Sequence, residues 1–216
     1  MGRLLVQLRQ MSGLKDTVKV KIEEQARKDL LWWSQFLRTY NGITMIFNEE
    51  VIPLTLEQMM DTPEKVCAGD ATPTGAGAWH NKEYWSRRVP DNLLGSPIHV
   101  LEFWAVIVSC RLWGDSWSGK VITIFSDNDA VVDVINFEKP RDPVMLSLLR
   151  EFIFIVCEKK FVPVLRKIGT HENNLADHIS RRFDQEAARD LFEQHNLLDM
   201  KHITAPDNLF KLSAPW

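Results

Sequence analysis

The sequence has 216 residues, enough for one domain with additional elements or for two small domains. Its 45% hydrophobic and 25% charged residues are ordinary for a soluble globular chain with a sizeable core. The net charge of -3 excludes a polycation that holds nucleic acid through bulk charge alone, so any such contact needs local basic patches.

The first predicted elements are helices. Residues 3–12 have the spacing of a short amphipathic helix, and residues 20–40 carry a longer apolar stripe that Asn41-Gly42 ends. The adjacent Trp32-Trp33 could form a base-stacking platform, but their place on a periodic helix favours core packing. Nothing before residue 60 offers catalytic groups at a useful spacing.

Short strands are predicted next. Residues 66–70 form a small-residue strand that ends in the carboxylate of Asp70. Residues 74–77 are predicted as a turn, and residues 76–80 as the returning strand. Residues 82–88 alternate polar with aromatic side chains, which predicts a third, antiparallel strand at the edge of the sheet.

Ser96-Pro97 is predicted to begin a helix over residues 98–113, as its cap and first helical residue. This helix is apolar almost all round, so we expect it to be buried, and its apolar run is too short to span a bilayer. Glu102 is the only acid inside it, and a buried carboxylate is costly unless it is paired or metal-bound. The alternatives for Glu102 are a structural arginine partner or a narrow wet edge.

Residues 121–126 are a continuous run of mostly β-branched and aromatic residues, which predicts a strand buried on both faces, as in a parallel sheet. Asp127 follows directly, so its carboxylate is expected at the carboxyl end of a central strand, where open α/β sheets bind ligands. Residues 130–135 can follow as a helix. The alternative is that Asp127 only caps that helix, because aspartate is a favoured cap.

The remaining elements are predicted from prolines and periodicity. Asp142-Pro143 begins an apolar helix that runs to about residue 158, and Pro163 places a last strand, residues 161–168, at a sheet edge. The segments that follow are a loop (169–174), a short helix with one acid, Asp177 (175–182), and a further helix (185–196).

This order of elements predicts an α/β fold. Antiparallel strands followed by strand–helix–strand crossovers give a mixed sheet, with three antiparallel strands, then parallel strands, and helices on both faces. The cysteines Cys67, Cys110 and Cys157 lie in apolar surroundings without paired spacing. We expect them to be reduced core residues of an intracellular protein, in the cytoplasm or nucleus, with no membrane partner.

Four acids stand at element ends or on inward faces: Asp70, Glu102, Asp127 and Asp177. Their apolar surroundings predict a shared cation, and hard oxygen ligands without cysteine or histidine suit Mg²⁺ or Mn²⁺. Two such ions roughly 3.5–4 Å apart can clamp the attacking water and the leaving oxygen of a phosphodiester. The sequence therefore predicts metal-assisted hydrolysis.

Four motifs together resemble the ribonuclease H domain of retrotransposon reverse transcriptases. The resemblance is stronger to DIRS-like elements, which carry a tyrosine recombinase, than to gypsy-type elements. The motifs are Asp70 with Gly75-Ala76-Gly77-Ala78-Trp79, His99-Val100-Leu101-Glu102, Ser126-Asp127-Asn128, and Glu172-Asn173-Asn174-Leu175-Ala176-Asp177-His178-Ile179-Ser180-Arg181. Residues 27–33 and 40–42 are similar to the segment that links the polymerase thumb to ribonuclease H. The resemblance implies a ribonuclease H-like fold with a helical connection segment (1–60), a ribonuclease H-like domain (61–183) and a C-terminal helix and tail (184–216).

The resemblance also implies roles for individual residues. Asp70 and Asp127 would touch both metal ions, Glu102 and Asp177 would complete one site each, and Glu102 would lie near the RNA 2′-hydroxyl that distinguishes RNA from DNA. The implied partner is an RNA–DNA hybrid, with a polymerase domain in the parent element as a further partner. The residues expected to contact nucleic acid are Thr72, Asn173, Arg181 and Arg182.

Two departures from the family leave alternatives open. Lys167 stands where the family often carries a histidine, so His171, inside the loop, is either a catalytic residue or an exposed loop histidine. No polymerase acid pair is present, so we expect a fragment of an element or a host-retained remnant. The chain is then a nuclease that cuts the RNA strand, or a non-catalytic domain that binds a hybrid or a protein partner. An integrase is disfavoured, because the last acid of this sequence is Asp177 and not a glutamate. A proofreading exonuclease is disfavoured, because Thr72 and not a second acid stands two residues after Asp70.

Overall fold

The computed structural model describes residues 21–39, 61–137, 140, 143–181, 193 and 199–211. Its helices and strands follow one another as α1 (Glu24–Thr39), β1 (Val66–Ala71), β2 (Gly75–His80), β3 (Glu83–Arg88), α2 (Ile98–Trp113), β4 (Val121–Ser126), α3 (Asp129–Phe137), α4 (Pro143–Lys159), β5 (Val162–Lys167), α5 (Asn174–Arg181) and β6 (Lys201–His202). Short 3₁₀ turns lie at Pro63–Lys65, Asp91–Leu93 and Asp207–Phe210. None of the helices in the described ranges is both long and apolar enough to cross a bilayer.

The strands form one six-stranded sheet in the order β5-β4-β1-β2-β3-β6. Strands β1, β2 and β3 are antiparallel neighbours, whereas β4 runs parallel to β1 and β5 runs parallel to β4. The predicted mixed α/β sheet is confirmed, as is the edge position of the strand that contains Pro163. The predicted edge position of β3 is wrong, because β6 from the C-terminal part of the chain pairs with it through Glu83 and Tyr84.

Side chains alternate between the two faces of the central strands and build two cores. Cys67 and Ala71 of β1 join the larger core, with α2, α3 and α4, whereas Val66 and Ala68 join a second core that contains Ala176 and Ile179 of α5. Helices cover both faces of β1 and β4, and this explains why both strands are nearly continuous apolar runs in the sequence. The helix expected at residues 98–113 has those bounds, and it is buried along most of its length.

Two local predictions differ from the structure. Pro97 occupies the cap position of α2 and no side-chain cap bond is formed, so the predicted cap role of Ser96 is wrong. Gly75 begins β2 and Gly77 lies inside it, so the predicted turn at residues 74–77 is wrong as well. The turn lies earlier, where the backbone N–H of Thr72 donates to the Gly75 carbonyl at 2.7 Å.

Helix α1 packs against α4. Trp32 is buried, and its indole N–H donates to the backbone carbonyl of Arg150 at 2.8 Å, which confirms core packing for this residue. The cysteines are free, with Cys67 and Cys110 buried and Cys157 half-buried, so the core prediction is confirmed for the first two. Several predicted features lie outside the described residues: the helix at residues 3–12, the helix at residues 185–196 except residue 193, the stop at Asn41-Gly42, Asp142 and Arg182.

Candidate metal centre

Two parallel central strands bring Asp70 and Asp127 together at their carboxyl ends. The β1–β4 register places Ala68 opposite Phe125, so Asp70 and Asp127 lie two residues further along each chain. Asp70 is still part of β1 and is buried, whereas Asp127 follows the last residue of β4 and is half-buried. Parallel pairing therefore produces the predicted position at the carboxyl ends of central strands.

Helix α2 adds the third acid. One carboxylate oxygen from each of Asp70, Glu102 and Asp127 lies within 4.8 Å of the others, although these residues come from three different elements. Among the described residues, no lysine or arginine forms an ion pair with any of the three. The alternative that a structural arginine pairs with Glu102 is therefore excluded within the described ranges. Carboxylate oxygens this close together fit a hard divalent cation such as Mg²⁺ or Mn²⁺.

The residues on either side of Asp127 both bind Glu102. The Ser126 hydroxyl donates to Glu102 Oε2 at 3.2 Å, and Asn128 Nδ2 donates to Glu102 Oε1 at 3.2 Å. Asn128 also caps α3, because its Oδ1 accepts a hydrogen bond from the backbone N–H of Ala130 at 3.0 Å. Asp127 is therefore not the cap of this helix, and that alternative is wrong.

Helix α5 approaches Asp70 from the other face of the sheet. The Ser180 hydroxyl donates to Asp70 Oδ2 at 2.6 Å and lies 2.8 Å from the carbonyl oxygen of Asp177. Gly77, paired with Asp70 across the hairpin, permits this approach. A Cβ atom on Gly77 would lie 2.4 Å from Ile179 Cγ2 and 2.8 Å from the Trp85 carbonyl oxygen, so any other side chain would push α5 away.

Burial changes the proton affinity of two of the acids. Burial raises the pKa of Asp70 to about 6, and the charges of Asp127 and Asp177 add to this, whereas the Ser180 hydrogen bond acts in the opposite direction. Burial also raises the pKa of Glu102 to about 7, against the hydrogen bond from Asn128. Both carboxylates are thus destabilised as anions until a cation neutralises them.

Asp177 lies in the first turn of α5 and is not within the group of three acids that the structure brings together. Its carboxylate instead forms an ion pair with Arg181, 2.6 Å from Arg181 Nη2, one helical turn later. It remains near enough for its charge to raise the pKa of Asp70. The metal-binding role of Asp177 stays a prediction.

Two of the residues predicted to contact nucleic acid, Thr72 and Asn173, have structural partners. Thr72 Oγ1 accepts a hydrogen bond from the Gly75 N–H at 3.0 Å and so stabilises the β1–β2 turn. Asn173 is buried and its Nδ2 donates to the Gly69 carbonyl at 3.3 Å, which ties the loop before α5 to β1. Its Oδ1 is buried without a hydrogen-bond partner among the described residues. Arg181 and His171 are exposed, and their roles stay predictions.

Sequence reasoning missed three residues of the site: Ser126 and Asn128 as donors to Glu102, and Ser180 as a donor to Asp70. All three lie inside the motifs that were singled out for their acids. A signal was available for Ser180, because residues three apart on a helix share a face, and Asp177 is three residues earlier. Nothing in the sequence indicates that Glu102, on another element, is the acceptor for Ser126 and Asn128.

Comparisons with solved structures find ribonuclease H domains. The ribonuclease H1 of the halophilic archaeon Halobacterium salinarum is 11% identical with a TM-score of 0.46, over 55% of this chain and 95% of its own. The LC11 ribonuclease H1 in complex with an RNA/DNA hybrid is 16% identical with a TM-score of 0.47, over 54% of this chain and 93% of its own. A foamy viral protease–reverse transcriptase in complex with an RNA/DNA hybrid is 16% identical with a TM-score of 0.40, over 83% of this chain and 28% of its own.

No protein-family model and no curated protein matches the chain. The function is therefore argued from the carboxylates and from the residues that hold them.

Proposed function

We propose that this protein is a metal-dependent endonuclease that hydrolyses the RNA strand of RNA–DNA hybrids and derives from a retroelement reverse transcriptase. The observation that carries the proposal is the meeting of Asp70, Glu102 and Asp127 within 4.8 Å, without a basic partner among the described residues. Such a group is costly in the native state and becomes favourable when a divalent cation binds. The hybrid as substrate follows from the motif resemblance.

Asp70, Glu102 and Asp127 would hold one or two Mg²⁺ or Mn²⁺ ions, with Asp177 as a further ligand if Arg181 releases it. Ions bound there would supply Lewis-acid polarisation of a phosphodiester and stabilise the charge on the leaving oxygen. The chain's own contribution is to fix the ligands: Ser180 holds Asp70, and Ser126 and Asn128 hold Glu102. By the motif resemblance, Glu102 would also lie near the RNA 2′-hydroxyl.

The direct test is cleavage of an end-labelled RNA–DNA hybrid in Mg²⁺, with the label placed in turn on each strand. We expect the RNA strand alone to be cut, and Asp70→Asn and Asp127→Asn to abolish cutting while the proteins stay folded. Asp91→Asn is the matched control, because Asp91 is exposed and lies outside the acid group. Full activity in either site variant would refute this site, and equal cutting of double-stranded DNA would refute the substrate.

The ion pair between Asp177 and Arg181 favours a second candidate, a catalytically weak or inactive domain that retains hybrid or partner binding. An acid already neutralised by arginine is a poorer metal ligand, and Lys167 stands where the family often carries a histidine. Binding of a hybrid in Mg²⁺ and in Mn²⁺, without cleavage in either, would support this candidate. Arg181→Ala separates the two, since it frees Asp177 and should raise cleavage if the pair limits the enzyme.

A further inference from the structure

Three consecutive residues at the end of β4 serve two ligands of the candidate metal centre. Asp127 presents its own carboxylate, and its neighbours Ser126 and Asn128 each donate to one oxygen of Glu102. We refer to Ser126 and Asn128 as the Glu102 clamp. Because each donor takes a different carboxylate oxygen, the plane of the Glu102 carboxylate is fixed relative to Asp127.

The clamp is itself fixed by the backbone. The Ser126 hydroxyl oxygen accepts a hydrogen bond from the Asn128 N–H at 3.2 Å, which leaves its hydrogen for Glu102. Asn128 Oδ1 accepts from the Ala130 N–H at 3.0 Å, which orients its amide so that Nδ2 points at Glu102. The start of α3 therefore sets the orientation of an acid that belongs to α2.

We propose that Ser126 and Asn128 are positioning residues that hold Glu102 for a metal ion and so raise the affinity of the site for Mg²⁺ more than its affinity for Mn²⁺. The inference rests on the proposed function in taking the three acids as a metal site. Mg²⁺ demands near-ideal octahedral geometry and gains most from ligands fixed in advance, whereas the larger Mn²⁺ tolerates a carboxylate that rotates. Residues that orient metal ligands typically contribute 10–100-fold in metal affinity.

A competing explanation is that the two hydrogen bonds only satisfy a buried carboxylate. Glu102 is 8% exposed, and buried polar groups are normally hydrogen-bonded whatever their role. This explanation predicts that removing a donor destabilises the protein but affects both metals alike. The experiment must therefore compare the two metals in the absence of substrate, and must separate metal affinity from folding.

Asn128→Ser is the central variant, because serine also caps helices but lacks the donor that reaches Glu102. Asn136→Ser is the matched control: it removes another side-chain amide of α3, whose Nδ2 donates to the Leu165 carbonyl at 3.0 Å, outside the acid group. Ser126→Ala removes the second donor, whereas Ser126→Thr keeps a hydroxyl that can still donate to Glu102. The readouts are titration calorimetry of the substrate-free protein with MgCl₂ and with MnCl₂, and thermal unfolding without metal.

We expect Asn128→Ser and Ser126→Ala to weaken Mg²⁺ binding by about 10–100-fold and Mn²⁺ binding by clearly less. Ser126→Thr should lie close to the unmodified protein, and Asn136→Ser should leave both affinities unchanged. Equal losses for the two metals, or no loss in either variant, would overturn the proposal, as would a protein that binds neither metal at millimolar concentration. A protein that binds Mg²⁺ with this selectivity but does not cut hybrids would refute the nuclease and leave the clamp standing.

Discussion

Buried acids occur in two regions of this molecule, and the two regions treat them differently. Where α1 meets α4, Asp29 is 1% exposed and forms an ion pair with Arg150, which is 3% exposed. At the carboxyl ends of β1 and β4, Asp70 is 7% exposed and Glu102 is 8% exposed, and their donors are hydroxyl and amide groups. Among the described residues, an arginine therefore pairs with the structural acid Asp29, and none pairs with Asp70 or Glu102.

The same contrast holds between two buried glutamates, Glu151 and Glu102. Glu151 on α4 is buried and forms an ion pair with Arg111 of α2, while Glu102, on that same helix α2, has no such partner among the described residues. An unpaired buried charge is costly, and neutral donors offset only part of that cost. We infer that a cation from solution neutralises the Glu102 carboxylate.

The largest expected effect separates the two glutamates by activity. Glu102→Gln should lower the rate of hybrid cleavage roughly 10³-fold, since metal-centred stabilisation of the transition state supplies several kcal/mol. Glu151→Gln should leave the rate of the folded protein within about twofold, because Glu151 and its ion pair with Arg111 lie outside the acid group. Single-turnover cleavage assays on both variants check this, and an equal loss in both would remove the distinction between the regions.

The next largest effect concerns stability. Arg150→Met should lower the free energy of unfolding by about 3–5 kcal/mol, because it removes the buried counter-charge that Arg150 supplies to Asp29. Denaturant unfolding measures the loss, and the double variant Arg150→Met with Asp29→Leu should recover most of it. A loss below about 1 kcal/mol in Arg150→Met would show that the ion pair with Arg150 contributes little to stability, and the contrast with Asp70 would no longer hold.

The order of most elements was predictable because local signals mark them. Asp70 lies near the end of one short apolar strand, Asp127 follows another, and Pro163 marks an edge strand, so the mixed α/β sheet could be predicted from local pattern. The cover on β3 was not predictable, because β6 has only two residues, Lys201 and His202, and carries no strand pattern. Its pairing depends on where the chain returns in three dimensions.

The acids of the site were easier to predict than their environment. Glu102 stands out as the only acid in an apolar helix, so its sequence context already indicates an unusual role. The hydrogen bonds from Ser126 and Asn128 depend on the packing of α2 against the sheet, which no local pattern encodes. The Asp177–Arg181 ion pair could have been anticipated from its four-residue spacing on a helix, and it is the feature that bears most on whether the fourth acid joins the site.

A third prediction compares the regions by pH. Burial raises the pKa of Asp70 to about 6 and that of Glu102 to about 7, so between pH 4 and 7 the folded protein binds more protons than the unfolded chain. Each of these two shifts should therefore lower the stability of the metal-free protein by about 3 kcal/mol as the pH rises through that window. Denaturant unfolding at a series of pH values measures this.

Two controls isolate this effect from the other titrating groups. Without metal, the stability advantage of Glu102→Gln over the unmodified protein should grow with pH. Saturating Mg²⁺ should reverse it, because the unmodified protein keeps Glu102 as a ligand. A metal-free difference that stays flat from pH 4 to pH 8 would show that Glu102 is not destabilised as an anion, and the comparison with Glu151 would no longer hold.

The smallest expected effect comes from an exposed acid beside the same site. Asp129, at the start of α3, forms an ion pair with Lys167 of β5, with Nζ 2.5 Å from Oδ1, and the side chains are 71% and 51% exposed. Asp129→Asn should change the free energy of unfolding by less than about 1 kcal/mol, and 1 M NaCl should remove the difference, since water and salt screen exposed charges. Unfolding curves at low and high salt check this, with Arg150→Met as the buried counterpart whose loss should persist in salt. A salt-resistant loss of several kcal/mol in Asp129→Asn would mean that closeness to the acid group, rather than burial, decides how much an acid contributes to the free energy of unfolding. Asp70 and Asp29 would then differ for a reason other than their counter-charges.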